Sequence, residues 1–140
     1  MIHAVIDTNV LVSSLLTKHK DAATALLVKY LFEGRFCAVY NSEIVEEYEE
    51  VLGRPEFHFE SDLVKRVIDT LKKNGICADR VLSDDPVIDP KDVVFYEVAI
   101  SIEGSYLVTG NLKHFPLMPI VVTPAEMLRI LEEYESNNEK

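Results

Sequence analysis

The stretch Ile2-His3-Ala4-Val5-Ile6-Asp7-Thr8-Asn9 decides how this chain is read. Its mainly apolar first half suits a strand buried on both faces, and an acid follows with no spacer. In an open α/β sheet, ligands bind at the carboxyl ends of the strands, and a carboxylate there is a natural ligand for a hard cation. Asp7 is therefore the first candidate for chemistry.

Working outward, short apolar runs recur at Cys37 to Tyr40, Ile76 to Ala78, Tyr106 to Thr109 and Ile120 to Val122, with longer segments of helical period between them. Val10 to Leu16 and Ala22 to Phe32 suggest one broken helix or two, interrupted near Lys18-His19-Lys20. Ser42 suits the N-cap of a helix to about Leu52, stopped by Gly53 and Pro55. Ser61 to Lys73 is a further helix. Asp89-Pro90 starts another that runs to about Ile102, and Thr123-Pro124 starts the last, through about Tyr134. The alternation predicts an α/β fold: one domain over residues 1–134, in three layers, with a mainly parallel sheet flanked by helices and a frayed polar tail at 135–140.

At 140 residues and 48% apolar content the chain fills one core, so a second domain is not expected. No apolar run approaches the roughly 18 residues of a membrane span, and the start lacks a secretory pattern, so a soluble cytoplasmic protein is expected. Cys37 and Cys77 lack metal-site spacing and fall in apolar segments, which predicts buried free thiols. Twenty-four acids against fourteen Lys and Arg give a net charge of −10. Such a surface repels nucleic acid except at a local basic patch or a bound cation.

Helical phase sorts the acids. At about 100° per residue, Ile44, Val45, Tyr48, Val51 and Leu52 share one arc, Glu46 and Glu50 lie opposite it, and Glu47 and Glu49 lie on its flanks. Glu47 or Glu49 is thus placed to join Asp7. Asp92 shares a side with Phe95, Tyr96, Ala99 and Ile102, whereas Glu97 and Ser101 mark the far, solvated side. An inward carboxylate needs hydrogen bonds, a basic partner or a metal. Its bland alternative is a first-turn acid satisfying helix amides, with Asp89 as the cap. A parallel strand at Tyr106 to Thr109 brings Asn111 out on the same edge as Asp7, where Thr109 and Asn111 can meet a water or ligand oxygen. The local cationic groups are Lys113 and His114 after that turn, and Lys18, His19 and Lys20.

Assembled, these pieces resemble the PIN-domain family, the ribonuclease-like fold found in many bacterial and archaeal toxin components. The matching segments are Asp7-Thr8-Asn9-Val10-Leu11-Val12, Ser42-Glu43-Ile44-Val45-Glu46-Glu47-Tyr48, Asp89-Pro90-Lys91-Asp92 with Phe95 and Ala99, and Leu107-Val108-Thr109-Gly110-Asn111. The resemblance assigns Asp7, Glu47 and Asp92 as the carboxylates that gather Mg²⁺ or Mn²⁺. It chooses Glu47 over Glu49, and makes Thr8 and Asn9 the polar pair that orients Asp7 or a water. Where many members carry Asp after Thr-Gly, this chain has Asn111, which weakens a second metal site and leaves Asp89 as a substitute. The resemblance implies a metal-dependent endoribonuclease for single-stranded RNA. It also implies the toxin half of a toxin-antitoxin pair, with a cognate antitoxin as partner and a homodimer as assembly. Lys113, His114, Lys18 and Lys20 are then the candidate contacts to RNA. The rival reading is a PIN-like module that binds RNA or protein without catalysis, which the net charge and Asn111 favour and the three retained acids oppose. A phosphatase or structure-specific DNA nuclease is a third.

Overall fold

Ala4, Val5 and Ile6 are wholly removed from solvent, because their strand has a hydrogen-bonded neighbour on each side. The computed structural model describes residues 1–138. Strands β1 (His3–Ile6), β2 (Cys37–Tyr40), β3 (Ile76–Cys77), β4 (Tyr106–Val108) and β5 (Val121–Val122) form one sheet in the order β3-β2-β1-β4-β5. Every pairing is parallel, so the mainly parallel sheet expected from the sequence is parallel throughout. Flanking it are α1 (Thr8–Leu16), α2 (Ala23–Phe32), α3 (Ser42–Leu52), α4 (Ser61–Lys73), α5 (Val93–Ser101) and α6 (Pro124–Asn138). The fold is a single α/β domain of the expected kind.

Local chemistry sets the boundaries. α1 and α2 are two helices, not one bent one. The cap of α3 is Asn41 rather than Ser42: its Oδ1 accepts the Ile44 amide at 2.9 Å, and its extended backbone (φ −135°) ends β2 directly onto the helix. Asp89 caps as expected through Lys91 N (3.0 Å), but Pro90–Asp92 forms a 3₁₀ turn before α5 begins. Thr123 and Glu126 form a reciprocal capping box that starts α6. That helix continues through Asn138 instead of fraying after Tyr134, since Arg35 takes Glu135 with both arms of its guanidinium while lying over the Tyr30 ring. Residues 139 and 140, the end of the expected tail, lie outside the described residues. Cys77 is exposed, contrary to the buried thiol expected, because β3 is a two-residue strand at the sheet edge, exposed at both positions.

Glu97 overturns the reading of α5 as one-sided. Val94 to Ala99 are all buried, Glu97 with 2% exposure, because the segment after β3 crosses the face of α5 expected to be solvated. Arg80 Nε donates to Glu97 Oε1 (2.8 Å) and the Ser83 amide to Oε2 (2.7 Å), while Arg80 also reaches Glu43 on α3 (2.8 Å). Burial alone would raise the Glu97 pKa, but Arg80 and the Ser83 amide outweigh it and hold the carboxyl below its usual range. Tyr96 donates to Asp85 at 2.7 Å and fastens the same segment.

A buried carboxylate stripped of its cation is costly, so Arg80→Met is expected to lower unfolding stability in urea by about 2 kcal/mol at pH 7. That is below the ~3–5 kcal/mol of a fully buried pair because Arg80 is about a third exposed. A depressed acid stabilises only above its ordinary pKa, so the difference should shrink as pH falls through the Glu97 titration. An unchanged midpoint at pH 7 would show that the pair holds nothing.

Candidate active site

The strand order reverses direction at β1: β2 lies on one side of it and β4 on the other, so the connections leaving β1 and β4 diverge. A crevice opens at such a switch point, beyond the carboxyl ends of the strands. The ladder continues one residue past β1, Asp7 N donating to Val108 O at 2.9 Å, and this delivers the Asp7 side chain to the crevice floor. Asp7 is 5% exposed. It occupies the N-cap of α1 but makes no side-chain capping bond, and Thr109 Oγ1 instead donates to its Oδ2 at 2.7 Å.

Three more contacts close the seam around it. Asn111 N donates to Thr109 Oγ1 (3.0 Å), Gly110 N donates to Asn9 Oδ1 (3.3 Å), and the Tyr48 hydroxyl of α3 donates to Ile6 O. Thr109, expected to meet a water or ligand oxygen, bonds Asp7 and the Asn111 amide, and Asn9, expected to orient Asp7 or a water, accepts the Gly110 amide. Burial and the Asp7 charge keep the Tyr48 hydroxyl protonated.

The resulting cleft, of about 340 Å³, is lined by Asp7, Thr8, Asn9, Asp89, Asp92, Asn111 and His114, with Val12, Val51 and Phe57 as its apolar part. Asp92 comes from the 3₁₀ turn that leads into α5, half-buried, with His114 Nδ1 3.5 Å from its Oδ2. Burial raises the Asp7 pKa to about 6, the Thr109 hydroxyl opposes the rise and the Asp92 charge adds to it, with the Thr8 and Asn9 amides lowering it slightly. Burial and then the Asp89 charge raise Asp92 as well, and His114 works against them. The site is a set of carboxylates that repel one another.

Of the expected residues, Asp7, Asp92, Asp89, Thr8, Asn9 and Asn111 share this cleft. Glu47 does not line it; it is half-buried on α3, one turn before Val51, which does. Lys113 is exposed beside it, in a neighbouring recess with Asn111 and His114. Lys18 and Lys20 are exposed on the α1–α2 connection and line no part of the cleft. Phe57 was given no role in the sequence reading; its only signal is an aromatic placed two residues after the Gly53-Arg54-Pro55 helix stop.

Among the described residues, no three His, Cys, Asp or Glu side chains stand close enough to hold a metal ion by themselves. Two hard carboxylates nevertheless suit a small divalent cation, since Mg²⁺ keeps several waters and binds through one or two carboxylates plus substrate phosphate oxygens. The Thr8 hydroxyl, buried and without a hydrogen-bond partner, is a further oxygen on the same wall. The donor set fits a cation that completes its shell from solvent and substrate.

The class this geometry defines is a parallel α/β domain with an acidic site at the switch point of its sheet. The family model described as PIN domain matches residues 3–113, and the chain belongs to that family. PIN domains are typically nucleases and generally use divalent metal ions. No curated protein and no solved structure matches the chain. Among the described residues, no helix is long and apolar enough to cross a membrane.

An acid whose folded pKa is raised from 3.8 to about 6 binds its proton more tightly in the native state, so it costs stability above that range. In EDTA, Asp7→Asn is expected to be more stable than the wild type above pH 6, by up to about 3 kcal/mol. The gap should close as pH falls from 6 toward 4. Thermal melts across pH 4–8 check this, and a variant less stable at pH 7.5 would refute the account of Asp7.

Proposed function

We propose that the protein is a divalent-metal-dependent endoribonuclease that cleaves single-stranded RNA. The observation that carries this reading is the meeting of Asp7 and Asp92 in one cleft at the strand ends, with the Asp92 charge helping to raise the Asp7 pKa. Such a pair binds a cation in preference to facing its own repulsion. Asp7 and Asp92 hold Mg²⁺ or Mn²⁺, with Glu47 the third carboxylate that the family resemblance assigns. When bound, the cation polarises a phosphodiester and activates water for in-line attack.

The protein's own groups prepare that site. Thr109 fixes the orientation of Asp7, and His114 sits against Asp92. Lys113 meets the RNA backbone from the rim, which matters in a chain of net charge −10. Asn111 contributes an amide where many members have a carboxylate, so one metal is favoured over two. In the cell the reading places the protein in the cytoplasm as the toxin of a toxin-antitoxin pair. It is assembled as a homodimer, and a cognate antitoxin inserts a segment into the acidic cleft. The alternative is a PIN-like module that binds RNA or protein without cleaving it, favoured by Asn111 and by the absence of a three-ligand cluster among the described residues.

Labelled single-stranded RNA incubated with Mg²⁺, Mn²⁺ or EDTA separates the two. Wild-type protein should cleave only with metal, leaving 5′-phosphate ends, and Asp92→Asn purified in parallel should fall to the EDTA level. Equal cleavage by both proteins would assign the activity to a contaminant, and binding without cleavage would favour the non-catalytic module.

A further inference from the structure

We propose that Phe57 is a stacking platform for a nucleobase of the single strand, set beside the carboxylate pair. The inference rests on the nuclease reading and adds to it the residue that grips the substrate by a base.

The geometry begins where α3 ends. After Leu52 and Gly53, Pro55–Phe57 forms a 3₁₀ turn, with Phe57 N bonded to Arg54 O and His58 N to Pro55 O, each at 3.2 Å. His58 then adopts a left-handed backbone, φ +55°, the only such non-glycine among the described residues. That conformation is costly for a side-chain-bearing residue and persists where the surroundings dictate it. Here it folds the chain so that the rings of Phe57 and Phe59 stack, 5.4 Å between centroids and 12° between planes.

The two rings have different fates. Phe59 packs against the hydrophobic core, whereas Phe57 does not belong to it. Phe57 is half-buried and lines the cleft that holds Asp7 and Asp92. An aromatic ring outside the core, braced by one packed against it, is a rigid surface presented to the cleft. Its neighbours there do not explain it, because carboxylates gain nothing from the electron-rich face of a phenyl ring.

A nucleotide fits both halves of this arrangement. Its phosphate belongs with a cation at the acids, and its base has an apolar face for Phe57 and for the adjoining Val12 and Val51. Stacking on an aromatic side chain tolerates any base and is the usual grip on single strands. Base-paired RNA keeps its bases in its own stack, so this contact selects unpaired substrate.

The chain has no tryptophan, so Phe57→Trp places a single fluorescent reporter at the platform. With Ca²⁺ replacing Mg²⁺ to limit cleavage, this variant is titrated with a short RNA and with an abasic ribose-phosphate strand of equal length. RNA should quench the tryptophan and the abasic strand should not. In Mg²⁺, Phe57→Ala should raise KM for RNA by about tenfold or more with a much smaller change in kcat, and Phe57→Trp should restore KM. Equal quenching by both strands, or an unchanged KM in Phe57→Ala, overturns the stacking assignment. Anisotropy of labelled RNA separates the two levels of failure. Binding indifferent to Phe57 removes the platform, leaves the nuclease reading standing and points to a protein contact for the ring; absence of RNA binding by the wild type removes both.

Discussion

The central strand of the sheet ends on a carboxylate that is almost out of water, and the rest of the site is arranged around that constraint. Asp7 is delivered to the crevice floor by the β-ladder itself, which fixes its backbone, and the Thr109 hydroxyl orients its carboxylate. A lone buried charge is unfavourable, and one hydroxyl hydrogen bond from Thr109 offsets only part of the cost. The remainder is stored as a raised pKa, a form of local destabilisation that is typical of functional sites.

Storing that cost requires a stiff frame. Tyr48 ties α3 to the last carbonyl of β1, and Asn9 and Thr109 tie the exits of β1 and β4 to each other through Gly110 and Asp7. The second acid is held from a different direction. Asp92 leads into α5, and α5 is clamped on its outer side by the segment carrying Arg80, Ser83 and Asp85. Arg80 also bridges to Glu43 near the start of α3, so the helices bounding the cleft share one cation. The two mutually repelling carboxylates are therefore held both by their direct neighbours, Thr109 and His114, and by this remote clamp on the helices bounding the cleft.

Much of this was legible in the residues, for identifiable reasons. A buried parallel strand announces itself as an apolar run, which is how β1 and the acid behind it were found. α4 has the boundaries expected of it, because its apolar stripe and charged face are cleanly separated and no neighbour covers the charges. Asp92 was readable from helical phase, although it lies in a 3₁₀ turn rather than the helix proper. Glu97 was not, because phase shows which side of a helix is polar and cannot show that a segment without periodicity will cross that side. Glu47 is a related case: phase places it on a flank of α3, and only the three-dimensional path of the helix reveals that Val51, one turn on, lines the cleft in its stead. Phe57 was invisible because an isolated aromatic in a turn carries no pattern.

The margins of the sheet carry a separate consequence. Both outermost strands, β3 and β5, are two residues long, and β5 is buried as well. An edge that short offers few free amides and carbonyls to a foreign strand, which is a common defence against uncontrolled association. Sheet extension is thus poorly supported at either margin, and most of the surface this domain offers is made of helices and loops.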